Sequence, residues 1–162
     1  MLVRDAIEKD VDSINHIYNY EVLNGVATFD TEPKTYEERL EWLNHHSPKY
    51  PCIVVEKEGK TLAWGSLTQY STRKAYDGTC EISIYVDKES RGMGLGKIII
   101  AELLERAKNN GIHVILSRVA GENEASKTLH INFGFELVGI LKEVGYKFDR
   151  YIDVNFYQKL IK

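Results

Sequence analysis

Hydrophobic positions follow two different periods along this chain, and the changes between them mark its elements. After a short predicted strand over Leu2–Ala6, apolar residues recur every three to four positions from Glu8 on, which predicts a helix that ends at Asn24-Gly25. Thr35 is followed three residues later by Glu38, the pattern of a capping box, and this pattern predicts the start of a second helix.

The middle of the chain is rich in residues that favour strands. Cys52–Lys57 and Thr61–Tyr70 flank the turn Glu58-Gly59, which predicts a β-hairpin. A polar connection follows, and Thr79–Val86 then predicts a third strand. The three strands follow one another without an intervening helix, so they are expected to be neighbours in one sheet.

The second half of the chain alternates between helices and strands. Its predicted elements are a helix over Leu95–Asn110 stopped by Gly111, a strand over Val114–Val119, a helix over Asn123–Phe133, and closing strands over Phe135–Glu143 and Tyr151–Leu160. The complete order is β-α-α-β-β-β-α-β-α-β-β. Helices that interrupt a mostly contiguous set of strands predict one mixed α/β or α+β domain over residues 1–162.

Composition narrows the class of function. The 162 residues suit one domain, and 43% apolar with 28% charged residues allow a buried core in a soluble protein. A net charge of −3 without a basic stretch gives no support to nucleic-acid or membrane partners, and no apolar run approaches the roughly 20 residues of a membrane helix. The two cysteines, Cys52 and Cys80, show no metal-ligand spacing, so no metal is expected. Isolated thiols and the lack of an apolar signal core fit a cytoplasmic protein.

A glycine-rich segment lies between the third strand and the helix that follows it. Its residues are Arg91, Gly92, Met93, Gly94, Leu95, Gly96 and Lys97. Glycines let backbone N–H groups point at one ligand without obstruction from Cβ atoms, and the helix adds unpaired N–H groups and its positive dipole end. The segment is therefore a candidate phosphate or pyrophosphate site, and an ordinary flexible connection is the alternative.

Two common phosphate-binding motifs do not fit this segment. The Walker pattern requires a glycine where Arg91 stands, five positions before Gly96, and Ser or Thr where Ile98 stands. The dinucleotide fingerprint requires a third glycine where Lys97 stands, and the segment also follows a meander of strands in mid-chain. A P-loop and a Rossmann site are therefore both disfavoured.

Several short motifs resemble those of one superfamily. Arg-Gly-x-Gly-x-Gly after the strand resembles the acyl-CoA loop of the GNAT superfamily of N-acetyltransferases, and Asn123–Ser126 with Asn132-Phe133-Gly134-Phe135 resembles its second signature. More narrowly, the chain is similar to the phosphinothricin acetyltransferase family, which includes bacterial L-amino acid and methionine sulfone or sulfoximine acetyltransferases. The shared segments are Arg4-Asp5-Ala6, Thr28-Phe29, Ala75-Tyr76-Asp77, Glu81, Tyr85-Val86, Gly145-x-Lys147-Phe148 and Asp153-Val154.

The resemblance implies a mostly antiparallel, partly splayed central sheet flanked by helices, in a homodimer. It also implies transfer of an acetyl group from acetyl-CoA to the primary amine of a small amino-acid-like acceptor, by direct attack in a ternary complex without a cysteine nucleophile. A protein N-terminus, a polyamine or an antibiotic are alternative acceptors. A non-catalytic acyl-CoA-binding module or sensor is the alternative outside the enzymes.

Two ionisable residues are candidates for the proton transfers of this reaction. Alternation along the third strand places Glu81 on one face, and the resemblance implies that it is the general base, with a solvent-facing strand glutamate as the alternative. His130 stands four residues before Gly134, where the resemblance implies the group that protonates the leaving thiolate. The alternative is a histidine that packs in the helix without titrating.

The resemblance also implies CoA contacts outside the glycine-rich segment. The backbone of Ile84, Tyr85 and Val86 is expected to pair with the pantetheine arm like an added strand, with the Val86 N–H polarising the thioester carbonyl. Asn123 is expected to bind the pantetheine or, alternatively, to cap the following helix. Ser126 is either a cofactor contact or an ordinary residue of the first helical turn.

The acceptor site is expected in two loops. The carboxylate of an amino acid needs a cation, and arginine can bind it in a bidentate manner. Arg73 is our choice, with Lys74 next and a solvated basic loop as the alternative. Phe29 is expected to form a wall of the side-chain pocket or else to anchor its loop. The other candidates for acceptor contacts are Thr28, Ala75 and Tyr76.

Overall fold

Seven strands and four α-helices make up the computed structural model, which describes residues 1–162. The strands are β1 (Leu2–Asp5), β2 (Cys52–Lys57), β3 (Lys60–Gln69), β4 (Thr79–Val86), β5 (Val114–Ala120), β6 (Glu136–Lys147) and β7 (Arg150–Leu160). The helices are α1 (Val11–Asn24), α2 (Tyr36–Asn44), α3 (Leu95–Asn109) and α4 (Glu124–Asn132). Short 3₁₀ turns occupy Glu8–Asp10, Lys74–Tyr76 and Lys88–Ser90. The predicted order of elements is confirmed.

All seven strands belong to one sheet, in the order β1-β2-β3-β4-β5-β7-β6. Every neighbouring pair is antiparallel except β4 and β5, which are parallel. The two parallel strands are joined by α3, as a crossover connection requires. The mixed class and the mostly antiparallel sheet are thereby confirmed.

The two parallel strands separate soon after they start. Thr79–Glu81 of β4 pairs with Val114–Leu116 of β5, and no further residues pair. Beyond this point each strand keeps only its outer neighbour, since β4 stays with β3 as far as Val86 and β5 stays with β7 as far as Ala120. The sheet is therefore splayed open at its centre, as the resemblance implied.

Separate apolar clusters cover the two faces of the sheet. On one face α3 packs with Ile99, Ile100 and Leu103 on the strands. On the other face α1 and α2 pack around Trp64 of β3. Because strand side chains alternate, Ile82 of β4 belongs to the α3 cluster, whereas Tyr85 packs against the α1 and α2 cluster.

Local polar contacts set the beginnings of the first two helices. The predicted capping box of α2 is present, since Glu38 N–H donates to Thr35 Oγ1 and Thr35 N–H donates to Glu38 Oε1, both at 3.2 Å. α1 begins at Val11 rather than at Glu8, because Glu8–Asp10 forms a 3₁₀ turn. Ile7 N–H donates to Asp10 Oδ2 at 2.8 Å across this turn.

β6 extends four residues beyond the predicted end at Glu143. Glu143 has a φ of +55°, and the pairing with β7 shifts register between Leu141 and Gly145, so a bulge interrupts the strand pattern there. Phe148 and Asp149, with φ of +52° and +58°, then form a two-residue hairpin turn into β7.

The structure contains neither a helix suited to span a membrane nor a cluster of metal ligands. None of the four helices has the length and apolar character needed to span a membrane. No group of three or more His, Cys, Asp and Glu side chains is placed to hold a metal ion.

Candidate active site

The space between the separated halves of β4 and β5 is a cleft of about 700 Å³. Its walls are the free part of β4, residues 90–97, the free part of β5 and the inner face of α4, and α1 closes one side through Glu21. Of the predicted site residues, the cleft is lined by Ile84, Tyr85, Val86, Arg91, Gly92, Gly94, Leu95, Gly96, Lys97, Asn123, Ser126 and His130.

The free edge of β4 presents unpaired backbone groups to the cleft. Asp87 N–H donates to Leu62 C=O of β3 at 2.9 Å, and the backbone groups of an antiparallel strand alternate between its two sides. Ile84 and Val86 therefore direct their N–H and C=O groups towards the cleft, whereas those of Tyr85 pair with β3. An extended ligand arm can add to such an edge as a further strand would.

The glycine-rich segment closes one end of the cleft. Gly92 and Gly94 have φ of +79° and +76°, which L side chains rarely adopt, and a Cβ at either would meet open space. The first backbone hydrogen bond of the next helix runs from Ile98 N–H to Gly94 C=O at 3.3 Å, so Gly96 and Lys97 have N–H groups without a backbone partner. Free N–H groups at the positive end of α3 fit a pyrophosphate.

Arg91 and Met93, which have side chains, make different contacts from the glycines of this segment. Arg91 forms an ion pair with Glu21 of α1, which is buried. A Cβ at Gly25 would lie 1.9 Å from Glu21 Oε2, so the carboxylate uses the room that this glycine leaves. Glu21 was missed in the sequence, because a glutamate in a helix carries no sign of such a partner. Met93 is exposed and does not line the cleft.

Asn123 and Ser126 belong to the beginning of α4. Asn123 Oδ1 accepts a hydrogen bond from Ser126 N–H at 3.2 Å, so the capping alternative is realised in the structure. Asn123 Nδ2 has no hydrogen-bond partner and remains available to a ligand in the cleft. Capping by the oxygen and ligand binding by the nitrogen are therefore compatible.

His130 is buried at 4% exposure on the inner face of α4. Its Nδ1 lies 2.7 Å from the Ser126 carbonyl oxygen and its Nε2 lies 2.8 Å from Ser117 Oγ on β5. Because a carbonyl only accepts, Nδ1 carries the proton in the neutral ring, and Nε2 accepts the Ser117 hydroxyl. Burial lowers the pKa of His130 below its usual 6.5, against the opposing effect of the bond to Ser126.

Glu81 stands where β4 and β5 part, on the face of the sheet that carries α1 and α2. Its Oε2 accepts from Arg118 Nη2 at 2.7 Å. Arg118 lines the cleft and Glu81 does not, although Glu81 is 22% exposed. Ser117 and Arg118 are adjacent in β5 and point to opposite faces, so His130 and Glu81 lie on opposite sides of the cleft.

Sequence reasoning missed Ser117 and Arg118. Their signal was present, because two polar residues interrupt the otherwise apolar strand Val-Ile-Leu-Ser-Arg-Val-Ala. A central strand of a sheet covered on both faces is expected to be continuously apolar. The polar pair marks the place where β5 leaves β4 and lines the cleft instead.

Thr28 and Phe29 lie in the loop after α1, which β6 holds in place. Lys147 is 5% exposed and donates to three backbone carbonyl groups of the end of α1 and this loop, at 3.0, 2.7 and 2.9 Å. The Phe29 ring packs on Gly145, where a Cβ would lie 2.3 Å from the ring. Neither Thr28 nor Phe29 lines the cleft, so their contact with an acceptor remains a prediction.

The predicted acceptor residues of the connection between β3 and β4 are exposed. Arg73 makes no ion pair, and its backbone N–H donates to Ser71 Oγ at 3.2 Å. Lys74, Ala75 and Tyr76 form the 3₁₀ turn that follows. These four residues do not line the cleft, and they lie in the connection that leads into β4, the strand that carries Glu81. Their contact with an acceptor also remains a prediction.

Neither cysteine is placed to act as a nucleophile. Cys52 and Cys80 are buried in the two apolar clusters and do not line the cleft. Burial raises the pKa of Cys80 to about 12, so the thiolate form is not populated near neutral pH. The cleft therefore contains no thiol for an acyl-enzyme.

The chain is similar to known proteins over nearly its whole length. Residues 3–156 match the family model described as acetyltransferase (GNAT) domain. The phosphinothricin N-acetyltransferase of Streptomyces coelicolor is 35% identical over 161 residues, which cover 97% of this chain and 94% of that protein. The L-methionine sulfoximine/L-methionine sulfone acetyltransferase of Pseudomonas paraeruginosa is 35% identical over 158 residues, or 96% and 92% of the two chains. The crystal structure of a phosphinothricin acetyltransferase from Sinorhizobium meliloti in complex with acetyl-CoA has a TM-score of 0.93 at 34% identity, over 99% of this chain and 88% of that chain.

Proposed function

The chain belongs to the GNAT family of acetyltransferases, enzymes that transfer acetyl from acetyl-CoA, and from this premise we propose that its acceptor is the primary amine of a small amino-acid-like molecule. The names of the relatives support this acceptor class, since phosphinothricin, methionine sulfoximine and methionine sulfone are all α-amino acids. The observation that carries the proposal is the cleft between β4 and β5, which is lined by an open strand edge, a glycine-rich helix start, His130 and Arg118, the partner of Glu81.

Backbone groups of the chain make the proposed contacts with acetyl-CoA. In the proposal, the N–H groups of Gly96 and Lys97 hold the pyrophosphate, and the free edge of Ile84 to Val86 holds the pantetheine. The Val86 N–H then polarises the thioester carbonyl, which would develop negative charge during attack. Acetyl-CoA supplies the activated acetyl group, and the amine attacks it directly because no thiol lines the cleft.

We assign the first proton transfer to Glu81. An amino acid arrives as an ammonium ion near neutral pH and must lose one proton before its nitrogen can attack. Glu81 is partly exposed at the point where β4 and β5 separate, so it can accept this proton and later release it to solvent. Arg73, in the connection that leads to the same strand, is assigned to the acceptor's carboxylate.

The second proton transfer is assigned to Ser117 and His130. After attack, the nitrogen carries a surplus proton and the departing sulfur needs one. Ser117 Oγ accepts the proton from nitrogen while it passes its own proton to His130 Nε2, and the reverse transfers deliver a proton to the thiolate. His130 suits this part because it is neutral in the free protein and accepts from Ser117. The N–H proton thus ends on the sulfur, and the proton taken by Glu81 returns to solvent.

An acceptor panel with detection of free CoA thiol tests the acceptor class. Phosphinothricin, methionine sulfone and methionine sulfoximine should be acetylated with kcat/KM at least tenfold above a polyamine and a peptide with a free N-terminus. Comparison of kcat/KM for methionine sulfone and its carboxamide tests whether the enzyme recognises the acceptor's carboxylate. A peptide or a polyamine as the best acceptor would contradict the proposed acceptor class.

We also propose that the enzyme is a homodimer in the cytoplasm. The proposal of a dimer is supported by the edge strand β6, which exposes a set of large apolar side chains: Leu137, Val138, Ile140, Leu141, Val144 and Tyr146. An apolar patch of this kind on an edge strand is a site for association. Sedimentation velocity should give a dimer for the wild type and a monomer for a Val138→Asp, Val144→Asp variant. A wild-type monomer at micromolar concentration would exclude the dimer.

A further inference from the structure

The ion pair between Arg118 and Glu81 places a cation against the carboxylate that the proposed function assigns as the base. Arg118 Nη2 lies 2.7 Å from Glu81 Oε2, and its other guanidinium nitrogens have no hydrogen-bond partner. The Arg118 side chain is 57% exposed and lines the cleft. It is therefore an accessible cation with unused donors, next to the residue assigned as base.

The base must come within hydrogen-bond distance of the ammonium group that it deprotonates. A guanidinium that already touches this carboxylate then lies a few ångströms from the acceptor. An incoming ammonium ion adds a second positive charge beside Arg118, and the two cations repel each other. An acceptor offsets this repulsion only if it brings an anionic group that Arg118 can bind in place of Glu81.

We propose that Arg118 is a specificity-determining residue that selects amino acids with an anionic side chain. This inference rests on the proposed function, in which Arg73 binds the α-carboxylate and Glu81 takes the amine proton. Arg118 leaves Glu81, forms hydrogen bonds to a phosphinate or carboxylate on the acceptor's side chain, and frees Glu81 Oε2 for the ammonium group. Acceptors with a neutral side chain leave the Arg118–Glu81 pair in place and compete with it.

Matched acceptors separate the two classes. Phosphinothricin and glutamate carry an anionic side chain, whereas methionine sulfone and glutamine carry neutral polar ones of similar length. For the wild type we expect kcat/KM for phosphinothricin to exceed that for methionine sulfone at least tenfold. We also expect kcat/KM for glutamate to exceed that for glutamine.

Arg118→Gln should remove this preference. We expect its kcat/KM to fall at least tenfold for phosphinothricin and to stay constant or rise for methionine sulfone, with acetyl-CoA affinity unchanged. Arg118→Lys should retain part of the preference, because it keeps the charge without the planar fork. Arg106→Gln is the control, since Arg106 on α3 pairs with Asp5 and Glu102 outside the cleft, and it should leave the ratio unchanged.

The outcomes distinguish this inference from the proposed function. A wild type that acetylates all four amino acids equally, or an Arg118→Gln variant that loses the same factor for both classes, overturns the role of Arg118 and leaves the acceptor class intact. A wild type that acetylates a peptide or a polyamine but none of the amino acids overturns both.

Discussion

At the residue scale, the proposed chemistry depends on two ionisable side chains in different surroundings. Glu81 is partly exposed and touches a cation, whereas His130 is buried between the Ser126 carbonyl and the Ser117 hydroxyl. A group that must exchange a proton with solvent needs the first environment, and a group that must hold a proton within one catalytic cycle needs the second. Substitutions at each position should therefore fail in different ways.

Glu81→Gln keeps the shape of the side chain but removes its ability to accept a proton. We expect kcat/KM at neutral pH to fall by about two orders of magnitude, with acetyl-CoA affinity preserved. The loss should shrink at high pH, where the free amine is already present in solution. A pH–rate profile that keeps the wild-type shape and height would rule out Glu81 as the base.

Ser117→Ala removes the hydroxyl that contacts His130 Nε2 in the cleft. We expect kcat to fall at least about tenfold, since positioned acid–base groups contribute two or more orders of magnitude, while the KM for acetyl-CoA stays near its wild-type value. Ser66→Ala is the matched control, because it removes a buried hydroxyl that has no hydrogen-bond partner. Wild-type kcat in Ser117→Ala would exclude the relay.

At the scale of single elements, the start of α3 and its preceding loop provide a test of cofactor binding. Gly94→Ala introduces a side chain at a φ of +76° beside free N–H groups, and acetyl-CoA affinity should fall at least about tenfold, or 1.4 kcal/mol. Gly59→Ala is the control, because Gly59 also has a positive φ of +79° and no atom within 4 Å of an added Cβ. Gly59 lies in the turn between β2 and β3, outside the cleft. Both variants should lose about 1–2 kcal/mol of stability from backbone strain.

Calorimetric titration with acetyl-CoA separates the two effects, and chemical denaturation measures the strain alone. If Gly94→Ala binds acetyl-CoA as tightly as Gly59→Ala does, the glycine-rich segment is not part of the cofactor site.

Strand β6 provides a second test, because two of its glycines differ in their surroundings. A Cβ at Gly145 would overlap the Phe29 ring at 2.3 Å, whereas a Cβ at Gly139 would meet nothing within 4 Å. Gly145→Ala must displace Phe29, so we expect about 1–3 kcal/mol of lost stability and a lower kcat/KM for the acceptor, with acetyl-CoA affinity unchanged. Gly139→Ala should change neither. Normal acceptor kinetics in Gly145→Ala would exclude Phe29 from the acceptor pocket.

At the scale of the whole molecule, one buried and one partly buried histidine should make folding sensitive to mild acid. Burial lowers the pKa of His130 and of His46 below 6.5, so the unfolded chain takes up protons near that pH that the native protein does not. Stability therefore decreases as the pH falls below about 6.5, by at most about 1.4 kcal/mol per pH unit for each group. Urea denaturation at pH 7.5 and 5.5 measures this slope, and His130→Gln should flatten it. Equal or greater stability at pH 5.5 would contradict the prediction.

The parting of β4 and β5 is a property of the whole sheet. Three residue pairs join the two strands, and the outer halves of the sheet are then held apart by their own partners and helices. This division gives the cleft one wall from each half, and places His130 and Glu81 on opposite sides of it. A single strand or helix cannot specify such an opening, because it results from how two layers of side chains pack.

The sequence by itself determined the class of fold, the order of the elements and most of the residues that line the cleft. Periodicity, the capping box at Thr35 and the glycines at 92–96 are local signals, and α2, β4 and the start of α3 lie where these signals predicted. The continuation of β6 past Glu143 was not predictable in this way, because a bulge breaks the period from which a strand is recognised.

Tertiary structure alone decided which side chains meet. Ser117 contacts His130 across 13 residues, Arg118 contacts Glu81 across 37, and Lys147 reaches the carbonyl of Glu21 across 126. Contacts of this kind depend on strand register and on the packing of separate elements, and no local pattern of polar and apolar residues encodes either. The sequence therefore pointed to Glu81 and His130 singly, and their partners followed only from the fold.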